Sequence, residues 1–182
     1  MSFVFRPLRI PGLMLIIPDT YPDARGCFFE TFKAHDFVKY GIPTDFVQDN
    51  HSVSKKGVLR GLHYQVAPAG QGKLVRVAFG RAWDVAVDLR RSSPYYLKWE
   101  AVLLNNKNNQ MLYIPPGFAH GFVALSPEVT FLYKCTAPYS KEHERGIRWN
   151  DPTLNIQWPV ANPILSERDA QLPLWNPNIW AE

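Results

Sequence analysis

Short apolar runs recur along the chain with turn residues between them, and several of these runs alternate apolar and polar positions. The clearest alternation runs from Ala82 to Leu89, where tryptophan, valine and leucine alternate with alanine and aspartate. Because successive side chains of a strand point to opposite faces, this pattern predicts a strand with one buried face. In all, the pattern predicts ten strands: Leu13–Ile17, Cys27–Thr31, Phe46–Ser52, Val58–Tyr64, Leu74–Phe79, Ala82–Leu89, Lys98–Leu104, Gln110–Ile114, Gly121–Leu125 and Val129–Cys135.

Helical signals are few. One short helix is predicted over Lys33–Tyr40, and a second is predicted to begin at Ser166. Turns are marked by Gly80-Arg81, by the polar cluster at 105–109 and by Pro115-Pro116-Gly117. Regular short strands with this punctuation predict an all-β sandwich or barrel, of which the jelly roll is one form. At 182 residues the chain is most simply one domain.

The C-terminal segment has a different character from about Trp149 onward. Five prolines there accompany Trp158, Trp175 and Trp180. Large apolar groups in an irregular segment must be covered, either by the same chain or by a second subunit. We favour a segment that wraps onto its own body, with any subunit interface formed elsewhere.

Composition and charge narrow the possible functions. The formal net charge is +4, and lysine and arginine are spread along the chain without the dense basic stripe typical of nucleic-acid-binding proteins. A small anionic ligand held by a few arginines fits better. The two cysteines show no Cys-x-x-Cys spacing, and the N-terminal apolar run Leu13–Ile17 is too short for a signal peptide or membrane span. A cytoplasmic location is expected.

One stretch, Gly57–Arg76, concentrates candidate chemistry. His63 lies near the end of an apolar strand, three residues after Arg60 and ten before Lys73. Strict alternation places Arg60 and His63 on opposite faces unless a bulge intervenes, and the glycine-rich turn after Pro68 makes Lys73 a plausible hairpin neighbour of His63. A lone strand histidine is more often a core residue. Its clustering with two cations favours a base beside a site where an anion forms.

Two spacings are similar to those of metal-binding cupins, but the ligand set is incomplete. Gly57-x5-His63 matches the first cupin motif, although Gln65 stands at the second histidine position and no glutamate follows. A proline-glycine-histidine spacing downstream, ending at His120, matches the second motif, with Ala124 in place of asparagine. Two imidazoles without a third ligand make a poor site for zinc or iron. The spacings therefore predict a cupin-like barrel without metal.

Several other candidates each have a structural alternative. Tyr133 ends an apolar strand and by itself is more often a buried hydrogen-bonded residue, whereas Tyr139 follows a proline and can stack on a planar ring. Asp169, three residues after Ser166, is either a capping-box carboxylate or a functional one. Arg25 and Glu30 could form an ordinary surface pair.

Longer motifs follow one another along nearly the whole chain. They are DARGCFFE at 23–30, FVQDNHS at 46–52, LRGLHYQ at 59–65, QGKLVRV at 71–77, DVAVDLR at 84–90, IPPGFAHGF at 114–122, LYK at 132–134 and WNDP at 149–152. Taken together, these motifs resemble the dTDP-4-dehydrorhamnose 3,5-epimerase family. Several long motifs in the right order make the resemblance specific.

The resemblance implies a homodimeric cupin-type jelly roll that acts on a nucleoside-diphosphate 4-keto-6-deoxy sugar without metal or organic cofactor. It implies that His63 is the general base, paired with Asp169, that Tyr133 donates a proton on the opposite face, and that Lys73 faces the C4 oxygen. Tyr139 would stack on thymine. The substrate-contacting positions would be Arg25, Glu30, Gln48, Asn50, Arg60, His120, Glu144 and Arg168, the first two reaching across the dimer interface. Arg168 departs from the lysine common in the family.

Other activities remain open on the same scaffold. A sibling enzyme inverts a single carbon or moves the ketone between C3 and C4, a metal-dependent cupin acts as oxygenase or isomerase, and a binding module holds the nucleotide sugar without reaction. Product analysis, metal analysis and deuterium exchange distinguish these possibilities.

Overall fold

In the computed structural model, which describes residues 2–177, strands dominate and helices are single turns. The strands β1–β13 are Phe3–Pro7, Met14–Pro18, Tyr21–Asp23, Gly26–Phe28, Gln48–Lys55, Leu59–Gln65, Lys73–Phe79, Arg81–Asp88, Trp99–Asn105, Met111–Ile114, Phe118–Ala124, Glu128–Cys135 and Glu144–Gly146. The helices are α1 (Ala34–Phe37), continued by a 3-10 turn at Val38–Tyr40, and α2 (Glu167–Ala170).

The strands form two large antiparallel sheets and a small hairpin. The six-stranded sheet has the order β1-β2-β10-β7-β12-β5, and the five-stranded sheet has the order β13-β6-β11-β8-β9, while β3 pairs with β4. Consecutive strands β6 and β7 lie in different sheets, as do β7 and β8 and also β11 and β12, so the chain crosses repeatedly between the layers. The fold is the predicted cupin-type jelly roll.

The main core lies between the two sheets. Val75 and Phe131 from the six-stranded sheet pack with Ala86 and Phe122 from the five-stranded sheet, and all four are buried. Phe122 and Phe131 stack in parallel with their ring centroids 4.0 Å apart. Burying aromatic rings and β-branched side chains on the inner faces removes the most apolar surface from water, and the strands keep their polar edges hydrogen-bonded within the sheets.

A smaller cluster covers the outer face of each sheet. Phe37 and Ile42, from the segment around α1, pack over Leu74 and Met111 on the six-stranded sheet. Segments after Trp149 cover the outer face of the other sheet. Leu154, Ile156, Trp158 and Trp175 pack on the outer face of the five-stranded sheet, and the Trp158 indole N–H donates to the Trp149 carbonyl at 2.8 Å. Trp180 lies outside the described residues.

The ten predicted strands all overlap observed strands. The first helix forms where predicted, and Gly41, with a φ of 73°, ends its 3-10 turn. Ser166 caps α2 as predicted. The apolar pattern missed β1, β3 and β13, because β1 is a largely exposed edge strand and β3 and β13 are three-residue strands with polar or proline positions. Both helices in residues 2–177 span four residues, and none there is long and apolar enough to cross a membrane.

Candidate active site

The strand that carries His63 departs from strict alternation. The register between β6 and β11 shifts next to His120, and Gly61 has a φ of 128° that a residue with a Cβ rarely adopts. A Cβ on Gly61 would lie 2.6 Å from the Gly121 Cα, so β6 and β11 can approach this closely only because both positions are glycine. The irregularity turns Arg60 and His63 toward the same cavity. Strict alternation, which separates them, is therefore wrong at this point.

Lys73 reaches the cavity from the opposite layer. It begins β7 in the six-stranded sheet, whereas His63 lies on β6 in the five-stranded sheet. The predicted hairpin between them is wrong, because residues 66–72 cross between the sheets. The two side chains nevertheless line one cavity of about 250 Å³. The cation and the imidazole thus face a common space from different walls.

Two adjoining cavities gather most of the predicted site residues. The first, of about 250 Å³, and the second, of about 200 Å³, share His63, Lys73 and Tyr133. The other predicted residues that line one or the other are Gln48, Asn50, Arg60, His120, Tyr139, Glu144, Arg168 and Asp169. The first cavity is also lined by the apolar side chains of Phe122 and Phe131, so the two cavities together suit a polar ligand with one apolar group.

His63, which is partly exposed, forms a hydrogen-bonded pair with the buried Asp169. The His63 Nε2 atom lies 2.6 Å from Asp169 Oδ1, although 106 residues separate the two in sequence. Because a carboxylate accepts hydrogen bonds, Nε2 carries the proton and the other ring nitrogen, Nδ1, is unprotonated in the neutral imidazole. Burial raises the pKa of Asp169, but the hydrogen bond from His63 and other donors outweigh it and hold the pKa below its usual range. Asp169 therefore stays ionised behind the imidazole.

The short helix α2 positions that carboxylate. The Ser166 hydroxyl accepts a hydrogen bond from the Asp169 backbone N–H at 3.0 Å, which caps the helix. The Asp169 side chain points to His63 instead of returning to the cap. Next to α2, Ile164 pairs with Val58 just before β6, so the helix is fastened beside the strand that carries His63.

Tyr133 enters the cavities from the six-stranded sheet. It lies on β12 opposite Val75, while His63 belongs to the five-stranded sheet. Burial raises the pKa of the phenol, with a further contribution from Cys135. The hydroxyl therefore remains protonated at neutral pH and can act as a proton donor.

A polar network fixes the exposed end of the second cavity. Tyr139 is half exposed, and its hydroxyl donates to Glu144 Oε2 at 2.6 Å, which Arg168 Nη2 approaches to 2.5 Å. The Tyr139 backbone N–H donates to Gln48 at 2.7 Å, and Gln65 accepts from the Ser140 backbone N–H at 2.7 Å. Gln65, at the position of a cupin metal ligand, thus holds the tyrosine loop. Sequence patterns gave no sign of this role.

Arg25 and Glu30 do not join these cavities. Arg25 lies in the turn between β3 and β4, where its side chain is exposed and pairs with Asp23 at 2.5 Å. Glu30 approaches Lys33 at 3.9 Å, so the alternative of a surface pair between Arg25 and Glu30 does not hold. Their contact with a substrate bound by a partner chain stays a prediction.

Lys73 is buried, and within residues 2–177 no carboxylate is in direct contact with its ammonium. Its side chain makes no ion pair or hydrogen bond within residues 2–177, and burial lowers the pKa of its ammonium. The unfolded chain therefore binds this proton more tightly than the folded chain does. The folded state is destabilised below the folded pKa, and the penalty fades as the pH rises toward 10.5.

Replacing Lys73 with methionine is expected to stabilise the fold while impairing activity. An apolar chain of similar length removes a buried charge, so the free energy of unfolding at pH 7 should rise by about 1–3 kcal/mol. Urea unfolding at pH 7 and pH 10 measures this, and the gain should shrink at the higher pH. Lys107→Met, at an exposed turn, is the matched control. Equal or lower stability of the Lys73 variant at pH 7 would contradict the expected penalty.

Within residues 2–177 no three histidine, cysteine, aspartate or glutamate side chains form a group that could hold a metal ion. His63 and His120 each bind a carboxylate instead, the second through a bond of 2.8 Å to Asp84. Sequence reasoning missed Asp84 as the partner of His120, since it lies in an alternating strand where an aspartate predicts exposure.

Comparison with known proteins places this geometry in a family. The family model of dTDP-4-dehydrorhamnose 3,5-epimerase matches residues 7–177. The chain belongs to the dTDP-4-dehydrorhamnose 3,5-epimerase family. The Shigella flexneri dTDP-4-dehydrorhamnose 3,5-epimerase is 53% identical over 162 residues, which cover 88% of this chain and 90% of that protein.

Solved structures of family members superpose closely on the chain. A dTDP-6-deoxy-D-glucose 3,5-epimerase from Legionella pneumophila, in complex with dTDP-4-keto-L-rhamnose, gives a TM-score of 0.91 at 46% identity, covering 95% of this chain and 93% of that one. A 3'-monoepimerase from Streptomyces bikiniensis, in complex with dTDP-quinovose, gives 0.88 at 34% identity, with coverage of 93% and 86%. The epimerase scaffold is thus shared by enzymes that differ in the number of carbons they invert.

Proposed function

We propose that the chain is a cofactor-independent epimerase that inverts C3 and C5 of a dTDP-4-keto-6-deoxyhexose, giving dTDP-4-keto-L-rhamnose. The observation that carries the proposal is a base and an acid on opposite walls of one cavity. His63 with Asp169 lies on the five-stranded side, and Tyr133 lies on the six-stranded side. Relatives of this chain carry the same activity in their names.

The chemistry follows from the ketone. Protons on C3 and C5 both flank the C4 carbonyl, so removing either one leaves an enolate whose charge lies on the C4 oxygen. An unprotonated imidazole nitrogen, with its ring oriented by Asp169, accepts the proton. The Lys73 ammonium, buried where water screens it little, stabilises the oxygen as its charge develops.

Inversion requires a second proton donor. A base that returned its own proton to the same face would restore the starting configuration. Tyr133, on the opposite wall, delivers a proton to the other face of the carbanion, and its raised pKa keeps it protonated for this step. A phenol is a far stronger acid than a C–H bond next to a ketone, so proton transfer from Tyr133 to the carbanion is downhill.

The remaining residues suit the nucleotide. Arg60 and Arg168 bind the diphosphate by charge-assisted hydrogen bonds, and the half-exposed ring of Tyr139 stacks on the thymine. Gln48, Asn50, His120 and Glu144 supply the polar contacts along the two cavities. No metal or organic cofactor takes part in this scheme.

A homodimer completes the proposed site. The β3–β4 hairpin exposes Arg25 together with the aromatic side chains of Tyr21 and Phe28, which are 43% and 58% exposed. A second copy of the chain would cover these rings and receive Arg25 and Glu30 at its own nucleotide site. Sedimentation of the purified chain as a monomer at micromolar concentration would contradict the dimer.

The chain is also proposed to act as one domain, with the segment from about Trp149 wrapped on the body, and to reside in the cytoplasm. Contacts of Trp158 and Trp175 with the five-stranded sheet support the first point. The free thiols of Cys27 and Cys135 are consistent with a reducing compartment.

Incubation with dTDP-4-keto-6-deoxyglucose in deuterium oxide tests the activity. Deuterium should enter both C3 and C5, and NMR coupling constants of the product should report inversion at both carbons. The 3'-monoepimerase relative makes a single-carbon epimerase the second candidate, and that enzyme would yield product inverted at C3 alone. Migration of the ketone to C3 would indicate a ketoisomerase. Binding of the substrate without any exchange would refute catalysis.

A further inference from the structure

A second histidine–carboxylate pair lies beside the first. His120 on β11 is the cross-strand partner of His63 on β6, and the His120 Nε2 atom lies 2.8 Å from Asp84 Oδ2 on β8. Asp84 is completely buried. The proposed mechanism uses His120 for substrate contact but assigns nothing to the carboxylate behind it.

The second oxygen of Asp84, Oδ1, differs from the first in its hydrogen bonding. Among residues 2–177, Oδ1 is buried and accepts no hydrogen bond. A buried carboxylate oxygen without a donor is unfavourable, and proteins retain such groups where a function requires the charge. A structural aspartate in this chain looks different, since Asp88 on the same face of β8 is held by both Arg90 and Ser93.

Lys73 is the buried charge that lacks a partner in this cavity. His120, which binds Asp84 at 2.8 Å, lines the same cavity as Lys73, so the Asp84 carboxylate lies directly behind a residue that shares the lysine's cavity. Three groups raise the pKa of the Lys73 ammonium against the effect of burial, namely Cys135, Asp84 and Glu144. Glu144 is already neutralised by its ion pair with Arg168. Burial raises the pKa of the Cys135 thiol, which is therefore uncharged at neutral pH. Among these three groups, Asp84 is left as the carboxylate whose charge no cation balances.

We propose that Asp84 is a positioning residue of the epimerisation, which orients His120 and supplies the negative charge that keeps the Lys73 ammonium protonated at the enolate oxygen. The inference rests on the proposed function. Asp84 acts through two neighbours and does not itself touch the reacting carbons. In this role Asp84 is a buried counterion of Lys73 that acts without direct contact with the ammonium.

The other charged or titratable groups around Lys73 do not replace Asp84. Arg60 on β6 is itself a cation and cannot serve as the counterion, and Asp169 on α2 is engaged with His63. Tyr133 on β12 is neutral at physiological pH, as its raised pKa requires. His120 directs its Nε2 atom to Asp84 at 2.8 Å and away from Lys73 as a possible counterion.

Asp84→Asn tests the proposal, because the amide oxygen can still accept from His120 while the charge is lost. The rate of deuterium exchange would be measured between pH 6 and pH 10. Removing the carboxylate lowers the pKa of Lys73, so the loss of activity at basic pH should move about one pH unit lower. In a Lys73→Arg background, where the cation does not titrate, the same change should leave the basic limb in place.

A readout independent of activity separates this inference from the proposed function. Lysine labelled at the ε-carbon allows the Lys73 ammonium to be titrated by NMR in both proteins, and its midpoint should be lower in Asp84→Asn. Asp88→Asn, on the same face of the same strand, should leave that midpoint and the pH profile unchanged. An unchanged midpoint in Asp84→Asn would overturn the inference, whether or not the wild-type protein epimerises the sugar.

Discussion

Replacing His63 with alanine is expected to lower the exchange of solvent deuterium at both C3 and C5 by about 10²–10⁴-fold. One imidazole serves both carbons in the proposed mechanism, so the two exchange rates should fall together. Substrate binding should change little, because the diphosphate and thymine contacts lie elsewhere in the two cavities. The measurement is NMR of the substrate in deuterium oxide, with the dissociation constant of dTDP determined in parallel.

A matched control guards against a structural explanation. His35→Ala removes an exposed histidine from α1 and should leave exchange unchanged. His63→Ala also leaves the buried Asp169 carboxylate without its partner, which should destabilise the fold by about 1–3 kcal/mol. Thermal unfolding shows whether the variant is folded at the assay temperature. A folded variant that exchanges either proton at the wild-type rate would remove His63 from the role of base.

The layers of the fold could be predicted from the sequence because burial leaves a periodic signal. The strand predicted from the alternation over Ala82–Leu89 is β8, but the prediction of a single buried face is wrong. Ala82 and Ala86 face the main core, and Val85 and Val87 on the other face are covered by the C-terminal segment. Glycine and proline residues correctly indicated the turns between the strands. Which strands share a sheet leaves no such signal, and for that reason Lys73 was predicted beside His63 in a hairpin although β6 and β7 lie in different layers.

The site was predicted less evenly than the fold. Arg60 and His63 share a cavity because Gly61 permits an irregular register against Gly121. A register shift depends on the partner strand, so it could not be predicted from the residues of β6 alone. Asp169 could be named from the family resemblance, but its bond to His63 spans 106 residues and follows from tertiary structure. The roles of Asp84 and Gln65 were missed because the neighbouring sequence marks each only as an ordinary polar position in a strand.

Substituting phenylalanine for Tyr133 is expected to separate exchange from inversion. The base at His63 remains, so deuterium should still enter C3 and C5 at a rate within about tenfold of wild type. The inverted product should fall by about 10²-fold, because the donor on the opposite face is gone and the base returns a deuteron to the face it came from. Labelled substrate of unchanged configuration is thus the expected outcome, and proton NMR resolves it from the epimer.

The control for this change is a second tyrosine of the same sheet, which is buried. Tyr113 on β10 packs in the cluster on the outer face, away from the cavities, and burial raises its pKa to about 12. Tyr113→Phe removes the same single hydroxyl and should leave both exchange and inversion intact. If Tyr133→Phe still forms the doubly inverted product at the wild-type rate, another group or a water molecule donates the proton. If it loses exchange together with inversion, the phenol is required for deprotonation as well, and a base and a donor divided between the two sheets would no longer describe the reaction.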